Sequence, residues 1–281
     1  MKTHVAPATG AARNPAWIEP SWPVPGKVRA LVTTRAGGAS VGPWGGPGGG
    51  MNLGLGGDDE ATVLRNRARL LGVLPRAPCW LQQVHGANVV DAAVAPVLAR
   101  ADAAFAVRAG VVCAVLVADC LPVLLADAGG RGVAAAHAGW RGLAGGVIQN
   151  AVAALRGALG DDRAQVLAYL GPAIGPAQFV VGGEVLAAME RRLPDARVAF
   201  APEPPAQPDA GAAAIAEAAP RYRADLFLLA RQALAQVGVS DVYGGQDCTA
   251  SDPGRFYSFR RDRITGRHGA FIWIQGGDLS L

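Results

Sequence analysis

Apolar residues along this chain fall into two patterns, and the places where one gives way to the other outline the elements. Between residues 110 and 140 three continuous apolar runs follow one another, GVVCAVLVADC, PVLLADA and GRGVAAAHAGW, broken at Cys120 to Pro122 and at Gly129-Gly130. Uninterrupted apolar runs of strand length bounded by turn residues predict strands buried on both faces, here three neighbours. VRALVTTR (28–35) predicts an earlier strand, CWLQQVHG (79–86) and NVVDAAV (88–94) two more, and VLAYLGP (166–172) another. Elsewhere the period changes. Leu143, Val147, Ala151, Ala154, Leu155 and Ala158 recur at helical spacing, which predicts one helix over 141–159. Further helices are expected at 59–71, capped by Asp58 or Asp59 and closed by Gly72, at 183–193, and at 224–237 with Asp225 as cap and Gly238 as stop. The tail GRFYSFRRDRITGRHGAFIWIQG predicts two strands joined by a turn at Thr265-Gly266.

Interleaved strands and helices place the chain in the α/β class, with α+β character, as a single-domain mixed β-sheet sandwiched by helices. Residues 1–20 read as a loose arm and 21–281 as the domain. Within it, the Pro- and Ala-rich stretch 201–220 is expected to be a surface insert, not a linker. The glycine-rich stretch AGGASVGPWGGPGGG (36–50) is expected to be a loop. It lacks both the Walker lysine and the G-x-G-x-x-G pattern of nucleotide-phosphate loops.

Composition narrows the class without naming a function. At 281 residues and 51% hydrophobic, the chain can bury a large core, which excludes a disordered or fibrous protein. The net charge of +4 comes from scattered arginines, clustered only in RNRAR (65–69) and RRDRITGRH (260–268), so no nucleic-acid partner is expected. The most apolar run, 111–126, carries Asp119 and Pro122 and falls short of the about 18 to 20 residues a spanning helix needs, so no membrane partner is expected either. The N-terminus lacks an apolar signal core, which points to the cytoplasm. Four cysteines without close pairing read as reduced thiols. A monomer is the simplest expectation.

Chemistry-bearing residues are few. Of four histidines, His4 falls on the arm and His268 in a basic turn, leaving His85 and His137 near strand ends. With Cys120 they make a three-ligand set of the kind zinc takes when a fourth position stays open. The separations, 120 − 85 = 35 and 137 − 120 = 17 residues, are not those of a zinc finger; they suit ligands drawn from different strand ends. Two other readings stand beside this one. Cys120 and His137 can be a nucleophile and its base, with Asp119 or Gln83 as the orienting group, or Cys120 can be a small core residue like Cys113. Arg35, closing the first strand, and Arg141, at the head of a helix after a glycine, are candidate anion contacts.

Several blocks then carry a resemblance: TTRAGGAS (33–40), MNLGLGGDD (51–59), WLQQVHGANVV (80–90), VADCLPVLLAD (117–127), AAAHAGWRGLAGGVI (134–148), LGPAIGPAQFVVGGEV (170–185) and CTASDPGRFYSFRRDRITGRHGAFIWI (248–274). Together they resemble the purine nucleoside phosphorylase family long labelled multicopper polyphenol oxidoreductase, or laccase-like. The resemblance implies one α/β-sandwich domain similar to cysteine hydrolases related to toxin deamidases. It also implies Zn2+ on His85, Cys120 and His137, and phosphorolysis of adenosine, inosine and 5′-methylthioadenosine, with adenosine deaminase activity. A second implied role is editing of a peptidoglycan precursor. For phosphorolysis, Arg35 and Arg141 with the amides of 136–142 are the expected phosphate contacts. Asp119 is the expected proton carrier for the purine, and Asn52 and Gln83 the groups that orient it. The laccase label fails a count: a blue-copper centre would consume both core histidines and leave no imidazoles for an oxygen-reducing cluster, although Cu2+ can occupy the same three ligands.

Overall fold

The computed structural model describes residues 17–204 and 219–276. Residues 1–16, most of the expected arm, and 205–218, most of the expected insert, lie outside the described residues. The last residues assigned to the arm are not loose: the backbone groups of Ile18 exchange two 2.8 Å hydrogen bonds with Val32.

Two stacked sheets form the centre. The smaller has the order β1 (Val28–Val32), β13 (His268–Ile274), β5 (Val112–Val117), all antiparallel. The larger places β6 (Leu121–Asp127), β7 (Val133–Ala138) and β8 (Val166–Leu170) at its middle, in the order β12-β8-β6-β7-β4-β3. Its edges are β12 (Val242–Gly244), parallel to β8, and β3 (Val89–Asp91), parallel to β4 (Ala103–Ala106). The expected strand trio is therefore split. β6 and β7 pair directly, whereas β5 belongs to the other sheet and stacks on them.

Period-2 geometry explains why these runs are apolar throughout. Along β6, Leu121, Val123 and Leu125 face helices, while Leu124 and Ala126 face the small sheet. Along β5, Cys113 and Val115 point to the large sheet, while Val112 and Ala114 point to α1 (Glu60–Leu70). The sandwich thus has helices outside and two sheets within, rather than one.

On the far face of the large sheet lie α2 (Trp140–Gly145), α3 (Val147–Leu159), α4 (Gly183–Glu190) and α5 (Leu226–Gln236). The helix expected over 141–159 is two helices, because Gly146 adopts φ 86° and turns the chain between α2 and α3. Asp59, not Asp58, caps α1 by accepting from the Thr62 amide, and Asp225 caps α5.

Several elements differ from expectation. Residues 79–86 form no strand beyond a bridge of Cys79 to Cys113; instead the Gln83 side-chain amide takes the place of a backbone pair, donating to Leu116 O and accepting from Leu116 N. Inside the glycine-rich stretch lies β2 (Ala36–Ser40). The first strand expected in the tail is the short helix α6 (Phe259–Asp262), capped by Ser258. A third small sheet orders β10 (Phe200–Pro202), β11 (Arg221–Ala224) and β9 (Val180–Gly182), so the proline-rich stretch connects two antiparallel neighbours. All four cysteines are free thiols. No helix among the described residues is long and apolar enough to cross a membrane.

Candidate functional site

Cys120 immediately precedes β6, and His137 is the penultimate residue of β7 opposite Pro122. His85 arrives from the loop that Gln83 ties to β5. The ligand atoms of the three lie within 4.8 Å of one another, and the two imidazoles meet edge to face at 4.8 Å between centroids. Close approach of the chain at Gly139 is part of the arrangement: a Cβ there would fall 2.7 Å from Cys120 Sγ.

The charges within the trio support one another. Burial pushes the Cys120 thiol up, but hydrogen bonds to His137 and His85 outweigh it and bring the thiol down to about 6. Burial pushes His137 down, and the Asp102 carboxylate and Cys120 outweigh it, raising the imidazole to about 9. A thiolate beside two imidazoles is a donor set that suits zinc, and His137 Nδ1 is taken by Asp102 at 2.8 Å, which leaves Nε2 for the shared position. These residues fit a metal ion.

Asp102 is the residue that sequence reasoning missed. It lies just before β4, in an Ala-rich segment where no element was expected, so the only signal was an acid entering an apolar run. It is fully buried. Its carboxylate accepts from the amides of Val84, His85 and Gly86 and from His137.

The trio sits on the wall of a cavity of about 790 Å³, which Arg67, Arg141, Arg260 and Arg267 also line, with Asp119 as the one carboxylate among its described lining residues. Trp140, Phe179, Phe259 and Ile174 add apolar surface. His85 (φ 58°), Leu98 (φ 56°) and Asp119 (φ 90°) line this cavity in left-handed backbone conformations, each costing about 1 to 3 kcal/mol, and such strain gathers at functional sites.

The remaining candidates separate into two groups. Arg141 lines the cavity and is exposed; its guanidinium stacks 4.4 Å over Trp140 and has no hydrogen bond to a described residue. Asp119 also lines it, with Oδ1 accepting from Thr249 Oγ1 and Oδ2 from the Arg260 amide, both at 2.6 Å. Gln83 borders it with its amide already paired to Leu116. Arg35 and Asn52 are not among the lining residues of this cavity. Arg35 donates to the carbonyls of Gly45 and Pro253 and clasps the glycine-rich segment. Asn52 is buried, donating to Gly54 O and Asp58 and accepting from the Arg267 amide. Asn52 thus braces the backbone of Arg267.

Fold and site together define an α/β protein with a thiol and two imidazoles gathered at a basic cavity. The chain belongs to the family described as multi-copper polyphenol oxidoreductase laccase, whose model matches residues 29–275. It is 47% identical over 261 residues to purine nucleoside phosphorylase PA4543 of Pseudomonas aeruginosa, covering 92% of this chain and 99% of the relative. It is 44% identical to purine nucleoside phosphorylase YfiH of Escherichia coli, covering 92% and 98%. Among solved structures, the Neisseria meningitidis protein NMB0706 superposes with a TM-score of 0.78 at 39% identity, covering 93% of this chain and all of that one. YlmD of Geobacillus stearothermophilus does so at 0.73 and 30%, covering 89% and 93%.

Proposed function

We propose that the chain is a zinc-dependent purine nucleoside phosphorylase acting on adenosine, inosine and 5′-methylthioadenosine, with adenosine deaminase activity, in the cytoplasm. One observation carries the reading: a thiol and two imidazoles share a cavity of nucleoside-accommodating size with four arginines. The names of its relatives support the phosphorylase part of this reading. His85, Cys120 and His137 would hold the ion, which supplies Lewis-acid polarisation of a substrate oxygen when bound.

The chain's own side chains then divide the work. Arg141, with no competing hydrogen bond to a described residue, meets the incoming phosphate, and Arg267 and Arg260 add positive field for the negative charge that the phosphate brings and the departing purine takes as the anomeric carbon turns oxocarbenium-like. Trp140, Phe179 and Phe259 exclude water from the glycosidic bond and cover the faces of the base. Asp119 meets the departing purine: each carboxylate oxygen uses one lone pair on the protein and keeps another for the base edge.

A second reading has its own observation. Cys120, His137 and Asp102 run in the order nucleophile, base and orienting carboxylate, the arrangement of a thiol hydrolase or amidase, for which a peptidoglycan precursor is the candidate substrate. Elemental analysis beside phosphate-dependent hypoxanthine release from inosine separates the two. Zinc with phosphate dependence, both lost in Cys120→Ala, supports the phosphorylase. Full purine release by zinc-free protein sinks the metal mechanism, and zinc-free protein inactivated by iodoacetamide selects the hydrolase.

A further inference from the structure

The carboxylate of Asp102 is filled on every side. Oδ1 accepts from the His85 amide at 2.9 Å and from His137 Nδ1 at 2.8 Å; Oδ2 accepts from the Val84 amide at 3.2 Å and the Gly86 amide at 2.7 Å. That uses about four lone-pair sites, the full capacity of a carboxylate. The main chain adds a fifth link, since the His137 amide donates to Asp102 O at 2.7 Å. His85 is the left-handed residue of this loop, at φ 58°, with its side chain exposed. A non-glycine residue keeps such a conformation only when its surroundings hold it, and three consecutive amides converging on one buried acid are such surroundings.

We propose that Asp102 is the positioning residue of the metal site, setting both imidazole ligands at once: it holds the backbone that presents His85 and fixes the His137 tautomer with the proton on Nδ1. The inference rests on the reading of His85, Cys120 and His137 as metal ligands. Two ligands from distant parts of the chain thereby share one anchor, so the site is assembled before an ion arrives. Asparagine is the discriminating replacement. It matches the shape of aspartate, but its NH2 group would face two N–H donors and push the loop and the ring apart.

Cobalt(II) titration of the full chain tests this, because the absorption of cobalt reports both affinity and ligand geometry without turnover. In folded Asp102→Asn, cobalt affinity is expected to fall about 10- to 100-fold, the usual effect of losing a carboxylate behind a metal-bound histidine. The visible bands are expected to change with it. In wild-type protein carrying 15N-labelled histidine, His137 is expected to show a proton on Nδ1 with and without the ion. Affinity and spectrum unchanged in folded Asp102→Asn would overturn the proposal, as would a wild-type His137 with no proton on Nδ1. If the variant does not fold, the wild-type Nδ1 signal decides alone. Wild-type protein that takes up no cobalt would overturn the metal reading together with this inference, a result distinct from unchanged affinity in the variant.

Discussion

Gly139 is where a single methyl group should cost the metal site and leave the fold. The residue precedes α2 at φ −66° and ψ 166°, extended backbone that alanine adopts without strain, so any effect of Gly139→Ala comes from the added methyl. That methyl would lie 2.7 Å from Cys120 Sγ and 3.5 Å from both Cys120 Cβ and His85 Cδ2. Non-bonded atoms of this kind settle at about 3.5 to 4.0 Å, so the sulfur has to retreat by about 1 Å. Its backbone cannot follow freely, because Leu121 beside it is paired with Ala138. Overpacking costs about 1 to 3 kcal/mol, offset by the about 0.4 to 1 kcal/mol that alanine gains by restricting the unfolded chain. At about 2 to 4 °C per kcal/mol for a chain of this length, the melting temperature falls by about 10 °C at most. Zinc is less tolerant: its bond to sulfur is near 2.3 Å with about 0.2 Å of latitude. Zinc affinity, measured by competition with a chromophoric chelator, is therefore expected to drop by about tenfold or more in protein whose circular dichroism is unchanged. Folded Gly139→Ala that binds zinc as tightly as wild type would refute the geometry argued for Cys120.

Three other measurements separate the roles of individual residues. Arg141→Ala should raise the KM for phosphate by about tenfold or more, corresponding to about 1.4 kcal/mol of lost anion contact, with little change in melting temperature. Arg35→Ala should do the reverse, lowering the melting temperature through the freed carbonyls of Gly45 and Pro253 while the phosphate KM stays near wild type. His268 is fully buried with neither ring nitrogen bonded to a described residue, and burial, aided by Arg267, pushes its pKa down to about 3. Because the unfolded imidazole takes up its proton near pH 6.5 and the folded one does not, this residue's stability contribution is complete above 6.5 and is lost as pH falls toward 3, at up to about 1.4 kcal/mol per pH unit. His268→Phe should remove that slope from denaturant titrations, and equal slopes in the two proteins would count against it.

The large apolar runs were readable because β5, β6 and β7 are buried on both faces, and burial on both faces leaves a continuous signal. Which sheet each run joins was not readable, since β5 contacts β6 and β7 face to face and pairs edge to edge with β13, some 150 positions later. Strands of three or four residues, such as β4, β9 and β12, are too short to establish a period. In the site, the soft donors Cys120, His85 and His137 stood out by scarcity. Asp102 did not, because an aspartate among alanines carries no pattern, and its role exists only where the ends of β4 and β7 meet the 84–86 loop. Arg35 and Asn52 stood out for the opposite reason: both sit in the glycine-rich blocks TTRAGGAS and MNLGLGGDD, and such blocks also build tight loops.

The multi-copper description of the family can be weighed against the donors this chain offers. It has four histidines. Two belong to the cluster with Cys120, the only such group among the described residues, and a third, His268, is enclosed by Phe256 and Tyr257 at 5.8 and 6.4 Å between ring centroids. A blue-copper centre takes two histidines and a cysteine, which exhausts the cluster, and the oxygen-reducing coppers of such oxidases would still need imidazoles of their own. Copper binds N and S donors more tightly than zinc, so it should displace zinc from the same three residues in vitro without adding a further centre. Saturation with Cu2+ is thus expected at about one tightly held equivalent per chain, lost in Cys120→Ala, and the loaded protein should consume no more oxygen with a diphenol than free copper does. Several tightly held coppers together with turnover of the diphenol would show that donors beyond this cluster take part, and would return the oxidase reading to this cavity.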